Sequence, residues 1–300
     1  MGAKMEYAIE TRNLTKTYGK NRGVREVNLK VEKGDIFGYL GPNGAGKSTT
    51  IRTLLGMIYP KSGEAFVLGK KTGGEQREIL RQTGYMPSEA MFYPSMRAGE
   101  VIRYAAKMRG MDCDAEAKGL IARLGVDVNK RVSELSLGNR KKISIACALQ
   151  HNPELLIFDE PTSGLDPLIQ EVFFELLLER NREGVTCFLS SHVLPEVRKY
   201  CKHVGIIREG KLVASDTVDN LIHTNIRQVR LVIAEQEIQM CEDAIKNMQG
   251  VADYRLSGRE MHFAYQGEIA FLLKTLRSFK VEDMLLEEPS LEDVFMHFYM

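Results

Sequence analysis

The stretch that most constrains this chain is Gly41-Pro42-Asn43-Gly44-Ala45-Gly46-Lys47-Ser48-Thr49, which fits G-x-x-x-x-G-K-[ST], the pattern of a phosphate-binding loop. The pattern requires a buried strand before it and a helix after it. Residues 35–40 (Asp-Ile-Phe-Gly-Tyr-Leu) read as the strand and residues 49–57 as the helix. Glycines at 41, 44 and 46 let the backbone turn tightly and aim its N–H groups inward. With the positive end of the helix dipole, those groups make a site for phosphate oxygens. Lys47 then reaches the β/γ-phosphates and Ser48 ligates Mg²⁺. Gly41, Asn43, Gly44, Ala45, Gly46, Lys47, Ser48 and Thr49 are the expected contact set for a nucleoside triphosphate.

Three hundred residues accommodate one large or two modest domains. Lys and Arg total 41 against 40 Asp and Glu, which argues against a large nucleic-acid-binding surface. The five cysteines (113, 147, 187, 201, 241) are scattered and form no C-x-x-C, so neither a disulfide framework nor a zinc site is expected. No run approaches the ~18 apolar residues of a transmembrane helix. The N-terminus shows no signal-peptide pattern, and a cytoplasmic location is expected.

Along the chain, residues 7–14 alternate as a strand, residues 15–20 form a turn, and residues 24–31 form a second strand. Tyr18, just ahead of that second strand, is placed either to stack on an adenine ring or to pack on the sheet edge. Residues 64–68 form a strand, and residues 79–82 end a short helix. Residues 83–87 lead from a strand end into a loop. Helices at 99–108, 115–124 and 140–150 then read as an all-helical insertion. The apolar run Leu155-Leu156-Ile157-Phe158 suits a strand buried on both faces of a parallel sheet. A helix at 171–182, a strand at 185–189 and a hairpin at 204–207 and 211–214 follow. Strands alternating with helices indicate an α/β sheet with ligand at the carboxyl ends of its strands. After a short helix and a polar connection, residues 229–286 repeat β-α-β-β-α-β, the order of a ferredoxin-like module. Ser290, with Asp293, caps a last helix.

Asp159 and Glu160 close the buried apolar strand. A carboxylate there can hold Mg²⁺ opposite Ser48, and its neighbour can polarise the attacking water. Phosphoryl transfer needs little beyond metal, positioned water and charge stabilisation. His192 follows another strand end, where it either senses the γ-phosphate or is structural. Ser136 and Gly138, in Leu135-Ser136-Leu137-Gly138-Asn139, either offer a hydroxyl and N–H groups to an anion or simply cap the helix that follows.

The phosphate loop, residues 135–139, residues 155–160, Ser163-Gly164-Leu165-Asp166 and His192 stand in the order found in ABC (ATP-binding cassette) ATPases, which residues 6–215 closely resemble. The resemblance implies a P-loop NTPase fold with a RecA-like core sheet, an antiparallel β subdomain and a helical subdomain at about 90–152. It also implies an ATPase domain over 6–227 and an accessory ferredoxin-like α+β domain over 228–300. It implies ATP and Mg²⁺ as ligands and a homodimer, or a dimer with a similar ATPase, that sandwiches two ATP molecules. Each ATP then lies between residues 41–49 of one subunit and residues 136–139 of the other. By position, Tyr18 resembles the adenine-stacking aromatic, Asp159 the Mg²⁺-holding acid and Glu160 the catalytic base. His192 resembles the switch histidine, and Asp166 the aspartate of the loop crossing the dimer interface.

Two motifs depart from the family pattern. Leu137 and Asn139 stand in the signature where Gly and Gln are usual, and Ser88-Glu89 stands where a Mg²⁺-linked Gln is usual. Glu89 either substitutes as ligand or acts through water. The tail Glu288-Pro289-Ser290-Leu291-Glu292-Asp293-Val294-Phe295 resembles that of ATPases serving ABC-2-type exporters, and the Ser-Leu-Gly-Asn signature resembles the bacitracin-type branch. The expectation is an ATPase subunit at the inner face of the cell membrane that drives a separate permease and exports an antibiotic, peptide or drug. The rivals are a soluble regulatory or translation-associated cassette protein and a binding-only module.

Overall fold

The computed structural model describes residues 7–19, 22–222 and 226–287. Its contacts divide the chain into two compact units that meet between Asp216 and Thr217. The first unit holds two sheets. Its antiparallel sheet is built on β1 (Tyr7–Tyr18), which pairs with β2 (Arg22–Val27), β3 (Lys30–Glu32) and, on its other side, β5 (Ser62–Val67). Between β3 and β5 come β4 (Ile36–Leu40) and α1 (Lys47–Leu54). After β5 follow β6 (Lys70–Lys71), α2 (Gln76–Arg81) and β7 (Thr83–Met86).

Two expectations are corrected here. The strand expected to end at residue 14 runs on to Tyr18, because the ladder to β2 resumes after a register shift at Leu14/Lys16. The single strand expected over 24–31 is broken in two. Glu26 turns at φ +50, and the Thr11 hydroxyl stitches the break, donating to the Val27 carbonyl and accepting from the Leu29 N–H.

The helical stretch is α3 (Ala98–Arg109), α4 (Asp114–Leu124) and α5 (Leu137–Leu149), with α5 resting on α3, α4 and β7. α5 starts three residues earlier than expected, because the Ser136 hydroxyl accepts from the Asn139 N–H at 3.3 Å and so caps it. The core resumes with β8 (Leu155–Asp159), α6 (Pro167–Arg182), β9 (Thr186–Ser191), α7 (Leu194–Tyr200), β10 (His203–Arg208) and β11 (Lys211–Thr217). α6 also starts earlier than expected, at Pro167, a residue suited to a first helical position, with Asp166 as its cap.

The second sheet runs β11-β10-β4-β9-β8-β7, with β10, β4, β9, β8 and β7 paired in parallel. Every residue of β4, β8 and β9 is buried, as strands covered on both faces require. One core joins Ile9 and Val67 of the antiparallel sheet to Ile51 of α1 and to Tyr39, Ile157 and Phe188 of the parallel sheet. The phosphate loop, between β4 and α1, is thereby fixed at the carboxyl end of the central strand, where open α/β sheets bind ligands.

The second unit holds α8 (Val218–Ile222), β12 (Ile226–Ile233), α9 (Ile238–Lys246), β13 (Val251–Ser257), β14 (Glu260–Gln266), α10 (Ile269–Leu276) and β15 (Val281–Glu287). Its antiparallel sheet has the order β13-β14-β12-β15, the ferredoxin-like arrangement. Alternation puts Val229, Leu231 and Ile233 of β12 into a core with Cys241, Ile245, Phe263, Leu272 and Leu276. The helix expected from Ser290 lies outside the described residues. Among the described residues, no helix is long and apolar enough to cross a membrane.

His151, just past α5, is buried. Burial, reinforced by the Arg109 charge, pushes its pKa down to about 4 from 6.5. Between these values the unfolded chain binds the proton and the folded chain does not, so stability is full above pH ~6.5 and falls as pH drops toward ~4. The full shift corresponds to about 3 kcal/mol at ~1.4 kcal/mol per pKa unit. Urea denaturation across this pH range is expected to show that slope, and His151→Gln is expected to flatten it.

Candidate active site

The phosphate loop leaves the buried strand β4 and turns into α1 with Gly46 as N-cap at φ +115. A Cβ on Gly46 would lie 2.7 Å from Val24 Cγ1 and 3.0 Å from the Gly23 carbonyl, so both conformation and space demand glycine. The loop is braced from within. The Ala45 N–H donates to Pro42 O at 3.1 Å, and Ala45 O accepts from the Gly210 N–H at 2.9 Å.

A cleft of about 500 Å³ opens over this loop. Of the residues expected to touch the nucleotide, Tyr18, Asn43, Gly44, Gly46, Lys47, Ser48, Thr49 and Glu160 line it. Tyr18 is about half exposed, with the Lys16 ammonium 5.4 Å from its ring centre. Gly41 and Ala45 lie behind the lining. Gly41 supplies a carbonyl to Lys47, and the Ala45 N–H is already committed to Pro42. Ser88 reaches the lining, whereas Glu89 is exposed outside it. Of the two residues at the position where the usual glutamine is missing, Ser88 is the one that lines the cleft.

Lys47 is buried, and its ammonium is held on three sides. Gly41 O lies at 2.5 Å, Pro42 O at 3.2 Å and Glu160 Oε1 at 3.1 Å. The other Glu160 carboxylate oxygen is 2.5 Å from His192 Nδ1. One carboxylate thus bridges the lysine of the phosphate loop and the histidine that follows β9. Strand register brings these groups together: β4, β9 and β8 are adjacent and parallel, so all three deliver their carboxyl ends to one edge.

Asp159 is buried opposite Ser190 in the ladder, and the Ser190 hydroxyl donates to Asp159 Oδ1 at 2.5 Å. The Glu160 N–H donates to Ser190 O at 3.1 Å, with Ser190 Oγ at 3.2 Å. Burial and then the neighbouring Asp159 charge push the Tyr85 phenol up to about 12. Glu196 of α7 accepts a hydrogen bond from the Thr162 hydroxyl at 3.0 Å, and burial holds its carboxyl above the usual range. Ser190, Arg22 and Gly23 were not singled out from sequence. The last two line the cleft, and Ser190 orients both acids.

Ser136, Gly138 and Asp166 do not reach the cleft lining. At the start of α5 Ser136 is exposed and Gly138 half-buried, and a Cβ on Gly138 would lie 2.8 Å from the Gly164 carbonyl. Asp166 Oδ1 accepts from the Ile169 N–H at 3.1 Å and caps α6. One chain therefore presents two separate parts: a loop with lysine and acids, and a capped helix start.

A phosphate loop on a parallel sheet, with an acid pair two strands away and a helical stretch whose last helix is capped by Ser136, defines an ATP-binding cassette. The chain belongs to the ABC transporter family, whose family model matches residues 24–163. It is 35% identical to the bacitracin transport ATP-binding protein BcrA of Bacillus licheniformis, over 97% of this chain and 97% of that protein. It is 30% identical to the linearmycin resistance ATP-binding protein LnrL of Bacillus subtilis, over 96% and 97%. Among solved structures it is similar to an ATP-binding subunit of an ABC transporter, with a TM-score of 0.67 and 29% identity over 71% of this chain and 91% of that one. It is also similar to the dimeric ATP-binding cassette MJ0796 bound to ADP and Pi, with a TM-score of 0.63 and 25% identity over 70% and 98%. The protein is an ATPase that uses ATP and Mg²⁺.

The residues present fit the metal. Ser48 lines the cleft, and Asp159, buried and outside the lining, accepts from Ser190, so the donors on offer are a sparse set of hard oxygens. That suits an ion sharing its shell with phosphate oxygens and water. Among the described residues no group of three or more His, Cys, Asp or Glu offers a denser cage.

Proposed function

We propose that this chain is the ATP-hydrolysing subunit of an exporter and drives a separate ABC-2-type membrane permease through ATP-dependent closure of a dimer. The observation that carries this reading is the separation within one chain of the cleft around Lys47 and Glu160 from the capped helix start at Ser136 and Gly138. Two copies placed head to tail complete each other's site, with one copy's helix start facing the nucleotide held by the other. The dimeric state of the cassette bound to ADP and Pi supports pairing of two copies. The two relatives matched over nearly their whole length, named for bacitracin transport and linearmycin resistance, support an antibiotic or peptide cargo.

In this reading the γ-phosphate displaces Glu160 from Lys47. Lys47 exchanges the carboxylate and the Gly41 and Pro42 carbonyls for phosphate oxygens, and Tyr18 offers its half-exposed face to adenine. Glu160, released, takes a proton from the attacking water, and His192 orients that carboxylate through Nδ1. Ser48 and Asp159 would hold Mg²⁺, which when bound neutralises charge on the phosphate oxygens. The permease is proposed to seat in an apolar groove of about 520 Å³ beside α3, where Met91, Tyr93, Tyr104 and Met108 are exposed. In this reading the subunit works at the cytoplasmic face of the membrane.

The mass of the Glu160→Gln chain with ATP tests dimer closure. Light scattering is expected to show 33.9 kDa without nucleotide and twice that with ATP. A mass that stays at 33.9 kDa at saturating ATP would count against it.

A further inference from the structure

We propose that Lys141 is a positioning residue for Glu160, linking the helix that begins at Ser136 to the catalytic carboxylate of the same chain. The proposal rests on the assignment of Glu160 as the base. Lys141 lies in the second turn of α5 and is 1% exposed. Among the described residues its ammonium forms no ion pair. It donates to the backbone carbonyl of Glu160 at 2.7 Å.

That backbone needs holding. Glu160 sits at φ +51, a left-handed conformation that a residue with a side chain rarely adopts. The Glu160 N–H is tied to Ser190 of β9 and its C=O to Lys141 of α5, so this one residue is gripped from two elements. The grip sets where the carboxylate points. Burying an ammonium is costly, and an apolar side chain of similar length would fill the space without that cost. Burial lowers the Lys141 pKa, against the opposing pull of Glu160 and Asp159.

A second contact joins the same two segments. The start of α5 touches the loop beyond Glu160, with Gly138 against the Gly164 carbonyl and the Leu137 side chain over Gly164. Any shift of the helix start on meeting a partner's nucleotide is therefore passed to the loop at residue 164 and, through Lys141, to the peptide of Glu160. The base is positioned by the state of the opposite site.

The test is Lys141→Met, which keeps the stem and removes the donor, assayed beside Lys141→Arg, Glu160→Gln and the double variant. A misplaced base is expected to lower kcat at least about tenfold while KM and nucleotide affinity change less than about twofold. Lys141→Arg, which keeps a charged donor, is expected to recover most of kcat. Adding Lys141→Met to Glu160→Gln is expected to lower the residual rate no further, since Lys141 acts through Glu160. Wild-type kcat in Lys141→Met would overturn the proposal. So would parallel loss of kcat and nucleotide binding without recovery by arginine, which is the mark of a purely structural role. Should Lys141→Met fail to fold, Lys141→Gln, whose shorter amide falls short of the carbonyl, carries the same expectation and the same contradiction. Wild-type turnover in Glu160→Gln itself would instead sink the assignment of the base, a separate outcome.

Discussion

Glu160→Gln is expected to lower steady-state ATP hydrolysis by at least about 10²-fold, the scale of a lost general base, while ATP binding survives or tightens. The reason lies in the bridge that Glu160 makes. Glutamine has the shape of glutamate but cannot take a proton from water, so turnover stops. It also carries no charge to hold Lys47, whose ammonium lies 3.1 Å from the carboxylate in the cleft. An incoming γ-phosphate then no longer competes with a resident anion. Phosphate release reads the first effect and titration with a fluorescent ATP analogue reads the second. Hydrolysis at the wild-type rate would remove Glu160 from the mechanism. ATP affinity lowered tenfold would show that the ion pair helps nucleotide binding rather than opposing it.

Lys47→Ala is expected to abolish useful ATP binding. Charge-assisted hydrogen bonds contribute about 1.5–3 kcal/mol each, so losing contacts to two phosphates weakens affinity by about 10²-fold or more. The fold should survive, because the partners of Lys47 are the Gly41 and Pro42 carbonyls at the cleft and a carboxylate that still has His192. Lys47→Arg is expected to fare little better. The ammonium is enclosed within about 3 Å by two carbonyls and an acid, and a planar guanidinium cannot enter that space without moving the loop. Isothermal titration with ATP distinguishes these outcomes. Micromolar binding by Lys47→Ala would place the main phosphate contact elsewhere.

What the sequence made legible and what it hid follow from the range of the interactions. The phosphate loop is local: its glycines, lysine and serine lie within nine residues between a strand and a helix, so spacing alone revealed it. The β-α-β-β-α-β order of the second unit was likewise readable, because each element carries its own periodicity. Ser190 was not, because its bond to Asp159 depends on β8 pairing with β9 at one register across 31 residues. Nor was the Glu160–Lys47–His192 bridge, which joins two strand ends to the first residue of α1. The short helix α7 was missed because its seven residues, opening on Leu194-Pro195, hold too few turns to show a period. Ser88 and Glu89 could not be ranked from sequence, since adjacent loop residues differ only in where the backbone points them. The early starts of α5 and α6 came from caps, Ser136 and Asp166, which the sequence offers but which also read as site residues.

Affinity isolation of the tagged chain from detergent-solubilised membranes of its own source, with mass spectrometry of what accompanies it, tests the central claim most directly. A polytopic membrane protein is expected in amounts comparable to the ATPase, and it is expected to be lost when the groove beside α3 is altered by Met91→Glu together with Tyr104→Glu. A ribosomal or other soluble partner, with no membrane protein, would contradict the account and mark the chain as a cassette ATPase that does not drive transport.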